Sequence, residues 1–285
     1  MAGQISSIKR QLRSVISTKK LTNAMELVAT AKLQKLKKRM EQNNHYADYY
    51  RQMLFTVCSS DVFKEDESIY FHQSEKNALH IISTSDSGLC GSYNLELLKY
   101  AEKTLNKNDP ILSVGSYGTK WLKTNGYNVV NEFEHFDDLL PSEVNRLIAD
   151  VLKMYKNEQI GRVDIIYTQY INTLNYKPTV LNLLPLNGEM FKEKRAILLE
   201  PDCASVLEQL IPMYISSQVY AAFLQAKTSE QASRRAAMDN ANRNADELID
   251  ELRLSFNQAR QAAITQEMNE ITAGTIREKK GAYDD

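Results

Sequence analysis

Apolar side chains recur at three- and four-residue intervals at both ends of this chain and in short unbroken runs between them. The series Ile5, Ile8, Leu12, Val15, then Thr22, Met25, Ala29, Leu33, Leu36 and Met40 follows the alternation of a coiled-coil seam, interrupted near Lys19. No Pro or Gly stands between Gln4 and Val57, so a single helical arm is expected there. The other end carries Leu207, Leu210, Tyr214, Ala222, Ala226, Ala232, Ala237, Ala241, Ala245, Leu248, Leu252, Phe256, Ala259, Ala263 and Ile271. Met213 to Ala273 is equally free of Pro and Gly. As one helix its roughly 60 residues would span on the order of 90 Å. Ordinary helices run about three to four turns, so a length like this implies mechanical reach. The Ala-rich middle favours helix and lets a partner backbone approach closely. Two arms with one apolar stripe each pair most economically with one another, antiparallel. Part of the longer C-terminal arm is then expected to project beyond the pair.

The middle of the chain changes period. Short apolar runs at Ala78–Thr84, Ile111–Val114, Tyr127–Val130, Val163–Thr168 and Thr179–Leu184 predict strands. Helices are expected between them over about Leu95–Leu105, Tyr117–Thr124 and Ser142–Tyr155. Alternating strands and helices predict a mostly parallel sheet with right-handed crossovers. Polar connectors at Ser59–Asn77 and Asn187–Asp202 join it to the arms. The expected division is therefore a helical arm over 1–58, an α/β domain with its connectors over 59–202 and a second arm over 203–285.

Composition narrows the class. The 285 residues are 43% hydrophobic and 25% charged, which excludes a disordered chain. No apolar run approaches the roughly 18 residues of a membrane span, and the N-terminus has no secretory core. Three widely spaced cysteines without a CxxC pair suit a reducing compartment. The net charge is only −1, yet Met1–Met40 holds Lys9, Arg10, Arg13, Lys19, Lys20, Lys32, Lys35, Lys37, Lys38 and Arg39 against Glu26 alone. That arm is either a solvated basic face or a surface for acidic protein loops. Nucleic acid is disfavoured, since aromatic interleaving is missing and the pI is near 6.5.

Catalytic and metal chemistry find little footing. The turn Ser85–Ser92 (SDSGLCGS) follows a strand and opens a helix, a geometry in which backbone amides can cradle phosphate. It departs from G-x-G-x-x-G and has no neighbouring Lys or Arg, and so reads first as a structural turn. In that reading Gly88 and Gly91 supply unusual backbone angles and Ser92 or Asp86 caps the helix. His45, His72, His80 and His135 are scattered, and Cys90 reads as a small packed side chain. No catalytic residue, metal ligand or cofactor is assigned. Arg260, Gln261, Thr265, Gln266 and Glu267 cluster on the C-terminal arm, and their fork-like donors and amides suit bidentate contacts with a partner.

Four segments together resemble the gamma subunits of bacterial F-type ATP synthases. They are Lys20–Leu33 (KLTNAMELVATAKL), Ser83–Gly91 (STSDSGLCG), Ser229–Asn240 (SEQASRRAAMDN) and Gln261–Ile271 (QAAITQEMNEI). The resemblance extends over essentially the whole chain. It implies an α/β fold plus a long coiled coil, in which N- and C-terminal helices form an antiparallel coiled coil flanking a Rossmann-like central α/β domain. It further implies a rotor shaft with no catalytic site of its own, coupling ion flow through a membrane c-ring to ATP synthesis and hydrolysis on beta subunits. The implied partners are a ring of alpha and beta subunits, an epsilon subunit and the c-ring. One copy per complex is expected, peripheral to the cell membrane on its cytoplasmic side.

By the same resemblance Arg260, Gln261, Thr265 and Glu267 match positions that touch a beta-subunit loop. Arg234 and Met25 match positions where the helices and the ring interact. Lys9, Lys32 and Arg39 are partners for acidic beta loops, and Glu200 and Asp202 fall in the segment near the c-ring and epsilon. Ser87 stands where the family turn commonly carries Arg. The regulatory cysteine-bearing insertion of the chloroplast form is absent, so no thiol control is expected. Two other classes fit parts of the pattern: a structural adaptor on a coiled-coil stalk, which would self-associate, and a nucleotide-binding enzyme using the Ser85–Ser92 turn, which would bind ATP alone.

Overall fold

The structure, a computed structural model, describes residues 2–64, 68–72, 76–134, 140–187 and 196–281, with side chains described as far as residue 272. His135 and parts of both polar connectors lie outside the described residues. Helix α1 runs Ala2–Cys58 and helix α5 runs Cys203–Gly281. Between them come β1 (Ala78–Ser83), α2 (Tyr93–Thr104), β2 (Ile111–Val114), α3 (Ser116–Thr124), β3 (Val129–Phe133), α4 (Pro141–Lys156), β4 (Arg162–Tyr170) and β5 (Tyr176–Leu184). The long C-terminal helix extends past both breakers that bound the predicted stretch. Pro212 sits inside it and the helix continues through Gly274. A single helical Gly costs only about 1 kcal/mol against Ala, which the continuing helix absorbs. By compactness the chain divides into two units, one drawn from Met1–Val28 and Ala236–Asp285, the other from Ala29–Arg235. The division falls inside both long helices.

The larger unit is built on a five-stranded sheet in the order β3-β2-β1-β4-β5. β1 pairs in parallel with β2 and β4, and β2 with β3. The edge strand β5 runs antiparallel to β4, joined by a tight turn in which Asn172 Oδ1 accepts the amides of Leu174 and Asn175. Pro178 stands within β5, where an edge strand can forgo one donor. The side-chain period of two sorts the strands onto two buried faces. Leu79, Ile81, Leu112, Val114, Val163 and Ile165 face a core shared with α4 and with the parts of α1 and α5 in this unit. Ile82, Ile111 and Ile166 face the smaller core under α2 and α3, with Leu97, Ala101 and Leu122. Strands buried on both faces read as continuous apolar runs, which is why they were visible without alternation.

A buried imidazole and its carboxylate neighbours sit in this sheet. His80 is fully buried, its Nε2 3.4 Å from Asp109 and its Nδ1 3.5 Å from Asp164. Burial lowers the imidazole below its ordinary value despite the two carboxylates, so it rests neutral. Asp164 in turn accepts Arg162 Nε at 2.8 Å and Asn182 Nδ2 at 3.1 Å, which ties β4 to β5.

The smaller unit is the antiparallel pairing of the α1 and α5 segments within it. As α1 numbering rises, partner numbering falls: Lys19 meets Asp246, Thr22 donates to Asn242 Oδ1, and Asn242 Nδ2 donates to Glu26 Oε2 at 2.7 Å. A series of less exposed positions runs through Ile5, Ile8, Leu12, Val15, Lys19, Thr22 and Glu26 on α1, with Ile16 and Met25 beside it, and through Asn242, Ala245, Ile249, Leu252, Phe256, Ala259 and Ala263 on α5, following Met238. These intervals alternate three and four without a break. The apparent interruption near Lys19 is thus a polar layer inside a continuous seam. The alternation also corrects one expected seam position. Leu248 is 48% exposed while Ile249 is 6% exposed, because adjacent residues lie about 100° apart around a helix. We expect Ile249→Ala to lower stability by about 2 kcal/mol and Leu248→Ala to change it by less than about 0.5 kcal/mol. Thermal unfolding followed by circular dichroism reads both, and equal losses would misplace the seam.

Candidate functional site

In an open α/β sheet, ligands bind beyond the carboxyl ends of the strands where the strand order reverses. Here that point lies between β1 and β4, and the Ser85–Ser92 turn leaves β1 into it. The turn is ordered by the first turn of α2. Asn94 Oδ1 accepts the Ser85 amide at 3.1 Å, and Asn94 Nδ2 donates to Ser85 Oγ at 2.6 Å. Two expectations need correction. Gly91 does take a left-handed angle, φ 57°, but the second is carried by Leu89 at φ 60° and not by Gly88. Asp86 caps α3 and not α2: its carboxylate accepts the Ser116 amide at 3.2 Å, and its carbonyl accepts Ser116 Oγ at 2.7 Å. The next loop brings its backbone hard against β1, since a Cβ on Gly115 (φ 97°) would meet the Thr84 carbonyl oxygen at 2.4 Å.

Helix α5 fills the crevice that a nucleotide would need. Ser233 Oγ donates to the Cys90 carbonyl at 2.6 Å, and Tyr176 of β5 donates to Ser233 Oγ at 2.9 Å. Ser229 Oγ lies 3.3 Å from the Thr168 carbonyl on β4. Arg234 Nη2 reaches the Ser87 hydroxyl at 3.0 Å and the Ser87 and Gly88 carbonyls at 3.2 and 3.3 Å. The helix therefore seals the ends of β1 and β4 with hydrogen bonds to the carbonyls of the turn itself.

Four charges alternate across this seal. Lys227 Nζ stands 3.6 Å from Asp86 and 3.3 Å from Glu230, and Arg234 Nη1 donates to Glu230 at 2.7 Å. Lys227 and Glu230 are 5% and 2% exposed. Removing one member of such a set costs about 3–5 kcal/mol, because a buried charge is left uncompensated. Beside it, burial first of all raises the Cys90 thiol above its ordinary value, against smaller opposing pulls from the Ser85 hydroxyl and Arg234. Tyr93 is pushed well up by complete burial. A protonated, enclosed thiol is packing and no nucleophile. Glu230 and Ser233 fall in the segment Ser229–Asn240 without a role that the sequence assigns, and Lys227 lies outside it; their i, i+3 and i+6 spacing looks like a solvated face until a turn is laid over it.

The residues singled out from sequence are not gathered into one site. In the smaller unit Arg260, Gln261, Thr265 and Glu267 are all exposed on α5, Thr265 Oγ1 bonding back to the Gln261 carbonyl at 2.9 Å. Ile264, Met268 and Ile271 are more than half exposed among them. On α1 Lys9 is exposed and Met25 half-buried. In the larger unit Lys32 is exposed, Arg39 Nη2 donates to the Tyr220 hydroxyl at 3.0 Å, and Arg234 is turned inward as described. Glu200 and Asp202 are exposed. Asp202 caps α5 by accepting the Ser205 amide and hydroxyl, each at 2.8 Å, which hold its carboxyl below the usual range. Among the described residues no cluster of three or more His, Cys, Asp or Glu could hold a metal ion, and no helix is long and apolar enough to cross a membrane.

Comparison with known proteins bears directly on this arrangement. The ATP synthase family model matches residues 4–276. The ATP synthase gamma chain of Clostridium acetobutylicum is 35% identical over 94% of this chain and 95% of its own. That of Streptococcus agalactiae is 37% identical over 96% of this chain and 98% of its own. Among solved structures, a chain of the Euglena gracilis mitochondrial ATP synthase OSCP/F1/c-ring assembly superposes with a TM-score of 0.75 at 19% identity, over 99% of this chain and 96% of that one. A chain of the Tetrahymena thermophila mitochondrial ATP synthase central stalk and c-ring gives 0.61 at 25% identity, over 78% and 99%.

The enclosure of the turn sets the order of thiol reactivity. Cys58 and Cys90 are buried and Cys203 is partly exposed. With a disulfide-exchange reagent at pH 8 we expect Cys203 to react first, and Cys58 and Cys90 only after unfolding. Labelling of Cys90 in the folded chain ahead of Cys203 would show that α5 does not seal the turn.

Proposed function

Because the chain belongs to the ATP synthase gamma-chain family and is the non-catalytic central shaft that couples ion flow through the c-ring to ATP chemistry on the beta subunits, we propose how its own residues divide that work. The exposed cluster Arg260, Gln261, Thr265 and Glu267 meets a beta-subunit loop. Lys9 and Lys32 give the α1 surface the positive charge that acidic beta loops would face, and Met25 and Arg39 lie along the same helix. Glu200 and Asp202, exposed at the start of α5, face the epsilon and c-ring side. Arg234 acts from within, since its guanidinium is engaged with Glu230 and the Ser87–Gly88 backbone. The three segments 1–58, 59–202 and 203–285 serve as first shaft helix, foot and second shaft helix. One copy works per complex, on the cytoplasmic side of the cell membrane.

The observation that carries the contact assignment is the exposed face over residues 260–271. Arginine, amides and a carboxylate stand there between Ile264, Met268 and Ile271, all left uncovered by the chain itself. A contact that forms and breaks at every step favours scattered polar groups over a large apolar interface. Exposed polar contacts of this kind contribute about 1 kcal/mol each, roughly a five-fold effect on rate.

ATP hydrolysis by the alpha and beta subunits, measured with and without this chain, tests the proposal. We expect a complex of one copy per three beta subunits with raised turnover, and for Arg260→Ala an unchanged helical signal with turnover altered about five-fold. A chain that keeps its helical content but neither assembles nor stimulates hydrolysis would favour the adaptor. Loss of soluble Arg260→Ala protein would show that Arg260 serves the fold.

A further inference from the structure

The turn that joins α3 to β3 carries an Asn followed by a Gly, Asn125–Gly126, and both residues are exposed. Gly126 takes φ 75°, the left-handed angle on which helices commonly end. Tyr127 then returns the chain to the core. It is 9% exposed, its ring stacked on Trp121 at 5.6 Å with Lys107 Nζ over it at 5.7 Å. An Asn–Gly step carries chemistry of its own. The Asn side chain is a primary amide one bond short of a ring with the next backbone nitrogen, and glycine at that nitrogen adds no side chain to hinder the approach.

Here the end of α3 holds both reacting groups. Asn125 Nδ2 donates to the Trp121 carbonyl at 2.8 Å, and the Gly126 amide donates to the Lys123 carbonyl at 3.2 Å. The Tyr127 amide, donating to the Leu122 carbonyl at 3.1 Å, closes the turn. Asn125 itself sits at φ −92° and ψ 8°, so the Gly126 nitrogen nearly eclipses the Asn125 nitrogen and stands to one side of Cβ. Ring closure requires rotation about ψ to bring nitrogen and side-chain carbon into reach. That rotation breaks the bonds of Gly126 and Tyr127 to the helix.

We propose that Asn125 is a self-modification site whose rate the end of α3 controls. When the turn opens, the Gly126 nitrogen attacks Asn125 Cγ and the new C–N bond closes a cyclic imide. The Cγ–Nδ2 bond breaks, and its nitrogen leaves as ammonia with the proton that Gly126 gives up. Water then opens the imide at one carbonyl or the other, leaving aspartate or isoaspartate. Either product places a carboxylate at the C-terminal end of α3, against the helix dipole, where Nδ2 had bonded to the Trp121 carbonyl. Isoaspartate also lengthens the main chain just ahead of the edge strand β3, and so marks an aged chain in its foot.

The test incubates the full chain at pH 8, folded or unfolded in urea, and follows the peptide that holds Asn125 by mass spectrometry, with isoaspartate separated by chromatography. We expect conversion at Asn125 in both states, about ten-fold slower in the folded chain. Tyr127→Leu, which removes the stack on Trp121, brings the folded rate toward the rate in urea. Asn125→Gln, whose longer side chain must close a larger ring, loses the reaction in both states. Should Tyr127→Leu fail to give the native helical signal, folded and unfolded wild-type chains decide between themselves. No conversion in the folded chain, a folded rate equal to or above the rate in urea, or a natively folded Tyr127→Leu chain that reacts at the wild-type rate overturns the proposal.

Discussion

The seal of α5 on the β1–α2 turn is the constraint from which the rest of the larger unit follows. A parallel sheet leaves its strand ends open at the reversal point, and there the backbone carbonyls of Cys90, Ser87 and Gly88 need partners. Ser233 and Arg234 supply them from a helix. Once that helix lies across the ends of β1 and β4, the phosphate-binding reading of the turn loses its space and the nucleotide-binding alternative loses its site. Lys227 and Glu230, which would be ordinary surface residues on a free helix, become a buried pair held by Asp86 and Arg234. The sheet is thereby fastened to a long helix through polar bonds of fixed direction, as suits an element meant to turn with it.

The smaller unit solves a different problem with the same means. An antiparallel pair whose apolar positions repeat every three and four residues can be slid by whole repeats and still bury apolar side chains, so the repeat alone fixes its register weakly. Thr22, Asn242 and Glu26, flanked by Lys19 and Asp246, are satisfied in one alignment alone. Sliding either helix by a turn would leave Asn242, only 7% exposed, unpaired among apolar neighbours. Such a layer contributes less to stability than Leu or Ile would, and more to specificity. A shaft under torque needs the latter.

Much of this architecture was legible in the residues. The absence of Pro and Gly marked both long helices, and two-sided burial made β1, β2 and β4 stand out as Val- and Ile-rich runs. β3 was placed two residues early because Tyr127 packs beneath α3 as part of the preceding loop, stacked on Trp121. Leu248 and Ile249 could not be told apart by hydrophobicity; only the phase set by the polar positions Asn242 and Glu26 distinguishes them. Asp86 was seen as a cap, but which helix it caps depends on β2 lying beside β1. The buried charges were invisible for the same reason, since their burial comes from a turn about 140 residues away in sequence. The contact residues are the opposite case. Family motifs marked Arg260, Gln261, Thr265 and Glu267, and the fold leaves them uncovered without indicating what covers them.

Rotation of the chain itself tests the central claim most directly. Leu174, at the tip of the β4–β5 turn, is 86% exposed, so Leu174→Cys in a Cys203→Ser background offers an attachment point for a bead. With the alpha and beta ring fixed to a surface, ATP should drive the bead through stepped turns in one direction. ATP hydrolysis with a stationary or randomly fluctuating bead would contradict the account.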